Sequence, residues 1–121
     1  MAATTPVLCE EVRGDTLVVT PLENLREFEF DRIETAAGGI FRQLELGGVK
    51  HVVLDFHKTD FYGSTALGFF VKLWKRVRAG GGRIAFCNVS PHEREVLQLT
   101  HLDHCWPVCG SLDEALQEVH R

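Results

Sequence analysis

Short apolar runs, separated by glycine-rich or polar breaks, divide this chain into segments whose spacing changes along its length. The segment from Val7 to Val12 and the segment Thr16-Leu17-Val18-Val19-Thr20 are rich in branched residues, with Arg13-Gly14-Asp15 between them. That pattern predicts a β-hairpin, which Pro21 then ends. From Phe30 onward the spacing becomes helical. Phe30, Ile33, Ala37, Ile40, Phe41 and Leu44 recur at three- and four-residue steps, one face of an amphipathic helix. Gly38 and Gly39 interrupt it at a cost of roughly 1 kcal/mol each relative to alanine. Close packing against a neighbour, or a break, is expected there. Gly47-Gly48 forms the stop.

His51-Val52-Val53-Leu54-Asp55-Phe56 is a continuous apolar run closed by a carboxylate, as in a strand buried on both faces. A helix from about Ser64 to Ala79 follows. Its predicted core stripe is Leu67, Phe70, Val71, Trp74 and Val77, and Phe69 and Leu73 form a second apolar strip beside it. Gly80-Gly81-Gly82 ends this helix, and Arg83 to Cys87 reads as another strand. Ser90-Pro91 opens a helix, with serine at the N-cap and proline at the first helical position. Cys105 to Val108 is a short last strand, limited by Pro107. Ser111 caps a final helix to about His120, with Leu112, Ala115, Leu116 and Val119 facing inward. Alternation after the hairpin implies crossover connections and a mostly parallel sheet covered by helices, an α/β fold.

Length and charge narrow the functional classes. At 121 residues the chain has the size of one domain, residues 1–121, and its 45% hydrophobic and 25% charged content is ordinary for a globular protein. A net charge of −4 argues against non-specific nucleic-acid binding. Lys72, Lys75, Arg76 and Arg78 read as the solvated side of one helix. No apolar run approaches a membrane span, and the start at Met1 has neither the basic nor the apolar region of a secretory signal. No membrane partner is therefore expected. The four cysteines, Cys9, Cys87, Cys105 and Cys109, are expected to be reduced and the compartment to be the cytoplasm. No glycine-rich phosphate fingerprint follows any strand, since Gly80-Gly81-Gly82 sits after a helix.

The most informative stretch is Val52-Val53-Leu54-Asp55-Phe56 followed by Phe61-Tyr62-Gly63-Ser64-Thr65-Ala66-Leu67-Gly68. Here the chain resembles the STAS family, the domain of bacterial anti-sigma-factor antagonists. The family pairs a buried strand ending near an aspartate with a loop reading aromatic-hydrophobic-Asp-Ser-Ser/Thr-Gly/Ala-Leu at a helix start. Arg83 to Pro91 also looks like the family's fourth strand and following helix entry, and His101-Leu102-Asp103 sits where members carry a short turn. The resemblance implies a STAS-like mixed, mostly parallel sheet of four to five strands with about four helices.

It also implies a function. In the family the first serine of the motif is phosphorylated by a partner kinase that acts as the anti-sigma factor. By position that residue is Ser64, with Thr65 as the fallback. Independently, a serine before an apolar-periodic run reads as an N-cap, where an added phosphate meets the positive end of the helix dipole. The expected partner surface comprises Glu23, Asp60, Tyr62, Gly63, Thr65, Phe69 and Lys72. The chain departs from the motif at Gly63, which stands where the family has aspartate, unless Asp60 reaches in from the loop. Glu23, in Thr20-Pro21-Leu22-Glu23, stands in for a second acidic position, and the connection from Asn24 to Glu29 is longer than usual.

Two other readings stay open. One is a degenerate, unphosphorylated member serving as a scaffold or small-ligand-binding domain, favoured by Gly63. The other is a metal- or thiol-dependent enzyme using His101, His104, Cys105 and Cys109. Structural zinc sites show tighter cysteine pairs, so buried thiols and surface histidines are the expectation. Neither a cofactor nor a metal is expected, and the chain reads as a binding protein with no catalysis of its own. Asp55 is expected to cap the loop that follows it.

Overall fold

The structure, a computed structural model, describes residues 7–25 and 30–121. The start at Met1, residues 26–29 of the Asn24–Glu29 connection and the Phe30 side chain lie outside that description. The elements run β1 (Leu8–Arg13), β2 (Thr16–Pro21), α1 (Phe30–Glu45), β3 (His51–Asp55), α2 (Ser64–Ala79), β4 (Ile84–Cys87), α3 (Pro91–Leu99), β5 (Val108–Cys109) and α4 (Leu112–Val119). The order matches the sequence pattern.

The five strands form one sheet in chain order, β1-β2-β3-β4-β5. Only β1 and β2 are antiparallel; the remaining pairs are parallel. Arg13 pairs with Thr16, so the hairpin turn is Gly14-Asp15 alone, with Gly14 at φ +62° in the left-handed region that suits glycine. Parallel pairing of β2, β3 and β4 follows from the helices between them, which carry the chain back across the sheet.

Successive strand residues face opposite sides, and two apolar clusters result. Leu17, Val19, Val52, Leu54, Ile84 and Phe86 meet α1, α2 and α3 on one face. Val53, Ala85, Cys87 and Cys109 meet Ala115 and Val119 of α4 on the other. This is why His51 to Asp55 reads as an unbroken apolar run: every residue of β3 is buried. At the centre of the first face, Phe56, Tyr62, Phe70 and Phe86 pack with ring centroids 5.0 to 5.7 Å apart.

Two glycines answer to close approaches. A Cβ at Gly82 falls 1.9 Å from the Lys50 carbonyl oxygen, so only glycine lets the chain enter β4 beside the start of β3. At Gly39 a Cβ meets the Glu10 carboxylate at 3.3 Å, whereas at Gly38 it meets nothing within 4 Å. Helix α1 continues unbroken through both.

Three sequence expectations need correction. The buried residues of α2 are Ala66, Phe69, Phe70, Leu73 and Val77, while Leu67, Val71 and Trp74 are only partly buried. The stripe is turned because α2 packs against α1 as well as the sheet, with Phe69 edge-on to Phe41 at 6.2 Å. Next, the strand expected at Cys105–Val108 is confined to Val108–Cys109; Leu102–His104 forms a 3-10 turn that Cys105 closes. Finally, Gly63 rather than Ser64 is the N-cap of α2. The caps of the later helices hold as read. Ser90 and Glu93 form a reciprocal capping box with Pro91 in the first turn, and the Ser111 hydroxyl accepts from the Glu114 amide.

Candidate functional site

The chain reaches Ser64 through a loop held on two sides. On one side lies α3. The Tyr62 hydroxyl donates to the Glu93 carbonyl at 2.7 Å, Thr59 donates to the Glu93 carboxylate at 2.8 Å, and the Ser90 hydroxyl donates to the Asp60 carbonyl at 2.8 Å. Glu93 is fully buried, and its other oxygen accepts from the Ser90 amide at 2.8 Å. Burial pushes its pKa up, while the bonds from Ser90 and Thr59 oppose that rise. On the other side lies the connection after β2. Asn24 and Asp60 exchange bonds of 2.9 and 3.1 Å, and the Gly63 amide donates to the Leu25 carbonyl at 2.7 Å. A loop with this many partners has few alternative conformations, which fixes the position of the helix start that follows.

Gly63 takes an extended conformation, φ −93° and ψ −177°, and its carbonyl accepts the first helical bond from the Leu67 amide at 3.2 Å. Ser64 is therefore the first residue inside α2 and is exposed; Thr65 is half-buried. A one-residue shift from the expected cap keeps Ser64 exposed in the first turn.

Beside this turn, α1 and α2 leave a groove of about 560 Å³. Thr65, Gly68 and Lys72 of α2 line one wall, and Glu34, Gly38 and Phe41 of α1 the other, with Phe69 among the lining residues. Several expected contact residues sit elsewhere than on the open surface. Tyr62 is 2% exposed and belongs to the aromatic core, so its ring is unavailable to a partner. Gly63 is buried as well. Phe69 is buried but borders the groove. Glu23 is held by Arg32, with oxygens 2.7 and 3.3 Å from the guanidinium, which joins the connection to the first turn of α1. Asp60 is exposed, and its carboxylate accepts from Asn24. Lys72 is exposed at the groove edge. Glu34 and Gly38 were missed by the sequence reading; their signal is a polar and a small residue alternating with the apolar positions of α1.

The histidine-cysteine cluster does not assemble. Cys109 packs under α4 while Cys105 packs against the opposite cluster, and the rings of His101 and His104 lie 5.8 Å apart. Burial pushes the Cys87 thiol up to about 12 and also raises Cys109, the reverse of an activated thiolate. Among the described residues, Asp15, His51 and His120 do offer ligand atoms within 4.8 Å of one another. The Arg83 amide, however, donates to His51 Nδ1 at 3.0 Å, which leaves the ring proton on Nε2 and no lone pair there for a metal. Asp15 instead accepts from His120 Nε2 at 2.7 Å, and His120 Nδ1 lies 2.8 Å from the Leu116 carbonyl. This trio fastens the end of α4 to the hairpin turn. Asp55, as expected, caps its loop, accepting from the His57 amide at 3.1 Å.

Comparison with known proteins places these features. The model of the STAS domain family matches residues 11–115. A Thermotoga maritima protein assigned as an anti-sigma factor antagonist is 31% identical over 113 residues, 92% of this chain and 96% of its own. Other relatives match over a shorter stretch, about three fifths of their own length. Among solved structures, an anti-sigma-factor antagonist (STAS) domain protein from Planctomyces limnophilus superposes with a TM-score of 0.80 at 29% identity, covering 94% of this chain and 98% of the other. The Bacillus cell-fate determinant SpoIIAA in its phosphorylated form gives a TM-score of 0.71 at 23% identity over 93% of this chain and 98% of its own, a likeness of fold. Among the described residues, no helix is long and apolar enough to cross a membrane.

Proposed function

We propose, for a chain that belongs to the STAS domain family, a protein-interaction switch of the anti-sigma-factor antagonist type: the unmodified domain binds a serine-kinase anti-sigma partner, and phosphorylation of Ser64 releases it. The observation that carries this reading is the exposed Ser64 at the first turn of α2, next to the α1–α2 groove. Thr65 is half-buried on the groove wall and is the secondary acceptor. The partner would cover Ser64 together with the groove edge at Thr65 and Lys72 and the exposed Asp60. Tyr62, Gly63 and Glu23 act from beneath, by holding the loop. The work is binding in the cytoplasm, without catalysis by this chain.

A phosphate on Ser64 lies at the positive end of the helix dipole, a gain of about 0.3–1 kcal/mol, so the domain stays folded. It also puts a nearly dianionic group on the surface to be covered. Leaving that charge buried and unpaired costs roughly 3–5 kcal/mol, a loss of affinity of hundreds-fold or more. The bare hydroxyl imposes no such cost.

Incubation with ATP and the serine kinase encoded nearest to this chain tests the reading. One phosphate is expected, mapped to Ser64 by mass spectrometry and absent from Ser64→Ala. A kinase that binds this domain tightly yet leaves Ser64 bare points to the scaffold reading, which Gly63 favours because it replaces the aspartate of the family motif.

A further inference from the structure

We infer that His57 is a phosphoryl-accepting histidine, a modification site separate from Ser64, whose Nε2 is presented by the buried Asp55 carboxylate. Asp55 ends β3 and is 5% exposed. Its Oδ1 accepts from the His57 backbone amide at 3.1 Å and from the Asn88 side-chain amide at 2.9 Å. Those two bonds fix the carboxylate from the loop after β3 and from the residue that follows β4. Its second oxygen, Oδ2, lies 2.9 Å from His57 Nδ1. The ring proton therefore sits on Nδ1, and the lone pair is on Nε2. The side chain is 49% exposed, so the ring is accessible to a reactant.

The other five of the six histidines are arranged differently. His51 is 10% exposed on its side chain and accepts the Arg83 amide at Nδ1. Both ring nitrogens of His120 are engaged, by Leu116 and Asp15. His92 stacks on Phe61, and His101 packs against His104. The nearest carboxylate oxygen to His104 lies 3.8 Å from Nε2, not Nδ1. Among the described residues, His57 alone pairs Nδ1 with a buried carboxylate while its ring is half exposed.

That arrangement suits nucleophilic chemistry at phosphorus. The co-reactant is a donor of the phosphoramidate class, carrying its phosphoryl group on nitrogen. The Nε2 lone pair forms the new N–P bond while the donor's N–P bond breaks; the donor nitrogen, already protonated by solvent, takes the bonding pair and leaves as the neutral amine. The ring keeps its Nδ1 proton and becomes positively charged. The Asp55 carboxylate offsets that charge as it develops, as a buried aspartate does for the imidazolium of a catalytic triad.

The test uses the full chain and potassium phosphoramidate, with sites and rates read by mass spectrometry under neutral conditions. The expected product is one acid-labile phosphoryl group, formed first on His57, lost in His57→Gln and retained in Ser64→Ala. Asp55→Asn is expected to slow the reaction about tenfold or more. Asn88→Ala, which removes the side-chain amide without altering Asp55, is expected to slow it in the same direction. If His57 is modified no faster than His92, His101 and His104, the inference fails. Unchanged rates in Asn88→Ala and in any folded Asp55→Asn protein overturn it equally.

Discussion

The Tyr62 hydroxyl donates to the backbone carbonyl of Glu93 at 2.7 Å, and this buried bond ties the residue two positions before Ser64 to the first turn of α3. Tyr62→Phe removes the donor and keeps the ring. The Glu93 carbonyl loses this donor but, lying inside α3, still serves the helix, so the cost is about 0.5–1.5 kcal/mol. Urea denaturation is expected to show a lower midpoint with an unchanged slope. An unchanged midpoint means the loop does not depend on this bond.

Gly82 and Gly38 are expected to respond in opposite directions to alanine. At Gly82 the new carbon meets a backbone oxygen at 1.9 Å, so β3 or β4 must shift, and a loss of several kcal/mol, on the order of the worst core substitutions, is expected. At Gly38 the space is open and the backbone is helical, so alanine stabilises by up to about 1 kcal/mol. Thermal melts of the two variants check both signs. Because Gly38 lines the groove, its alanine variant also reports whether the partner needs that depth.

The trio at the hairpin turn makes stability depend on pH. The hydrogen bond from His120 lowers the pKa of Asp15, and the bonds to Asp15 and Leu116 raise that of His120, whereas burial lowers that of His51. A raised histidine pKa gives stability that is complete below its unfolded value, near 6.5, and is lost as pH rises through the folded value. The lowered His51 works the other way, contributing above 6.5 and losing that contribution as pH falls. His120→Gln isolates the first effect. The stability difference between the native chain and this variant is expected to be larger at pH 6 than at pH 9. A difference that grows with pH would contradict the assignment.

The order of elements along the chain was legible because each element carries its own signal. Gly14-Asp15 marks the hairpin, Ser90-Pro91 and Ser111 mark helix starts, and the unbroken run into Asp55 marks a strand covered on both faces. The phase of α2 was not legible. Ala66, Leu67, Phe69, Phe70, Val71, Leu73, Trp74 and Val77 spread over more than half of the helix circumference, so periodicity cannot choose which part of that face meets α1. The cap was misassigned by one residue, since glycine and serine are both accepted there and only the Gly63 dihedrals decide between them. Tyr62 looked like a surface residue because its bond to Glu93 spans 31 positions. The pairing of Glu23 with Arg32 is likewise a product of tertiary placement, with no motif to announce it.

The switch itself is tested most directly by titrating the kinase partner against this chain, once unmodified and once carrying phosphate on Ser64, in a calorimeter at fixed salt. The account predicts that the phosphorylated chain, still folded by circular dichroism, binds at least about a hundredfold more weakly. Equal dissociation constants for the two forms would contradict it.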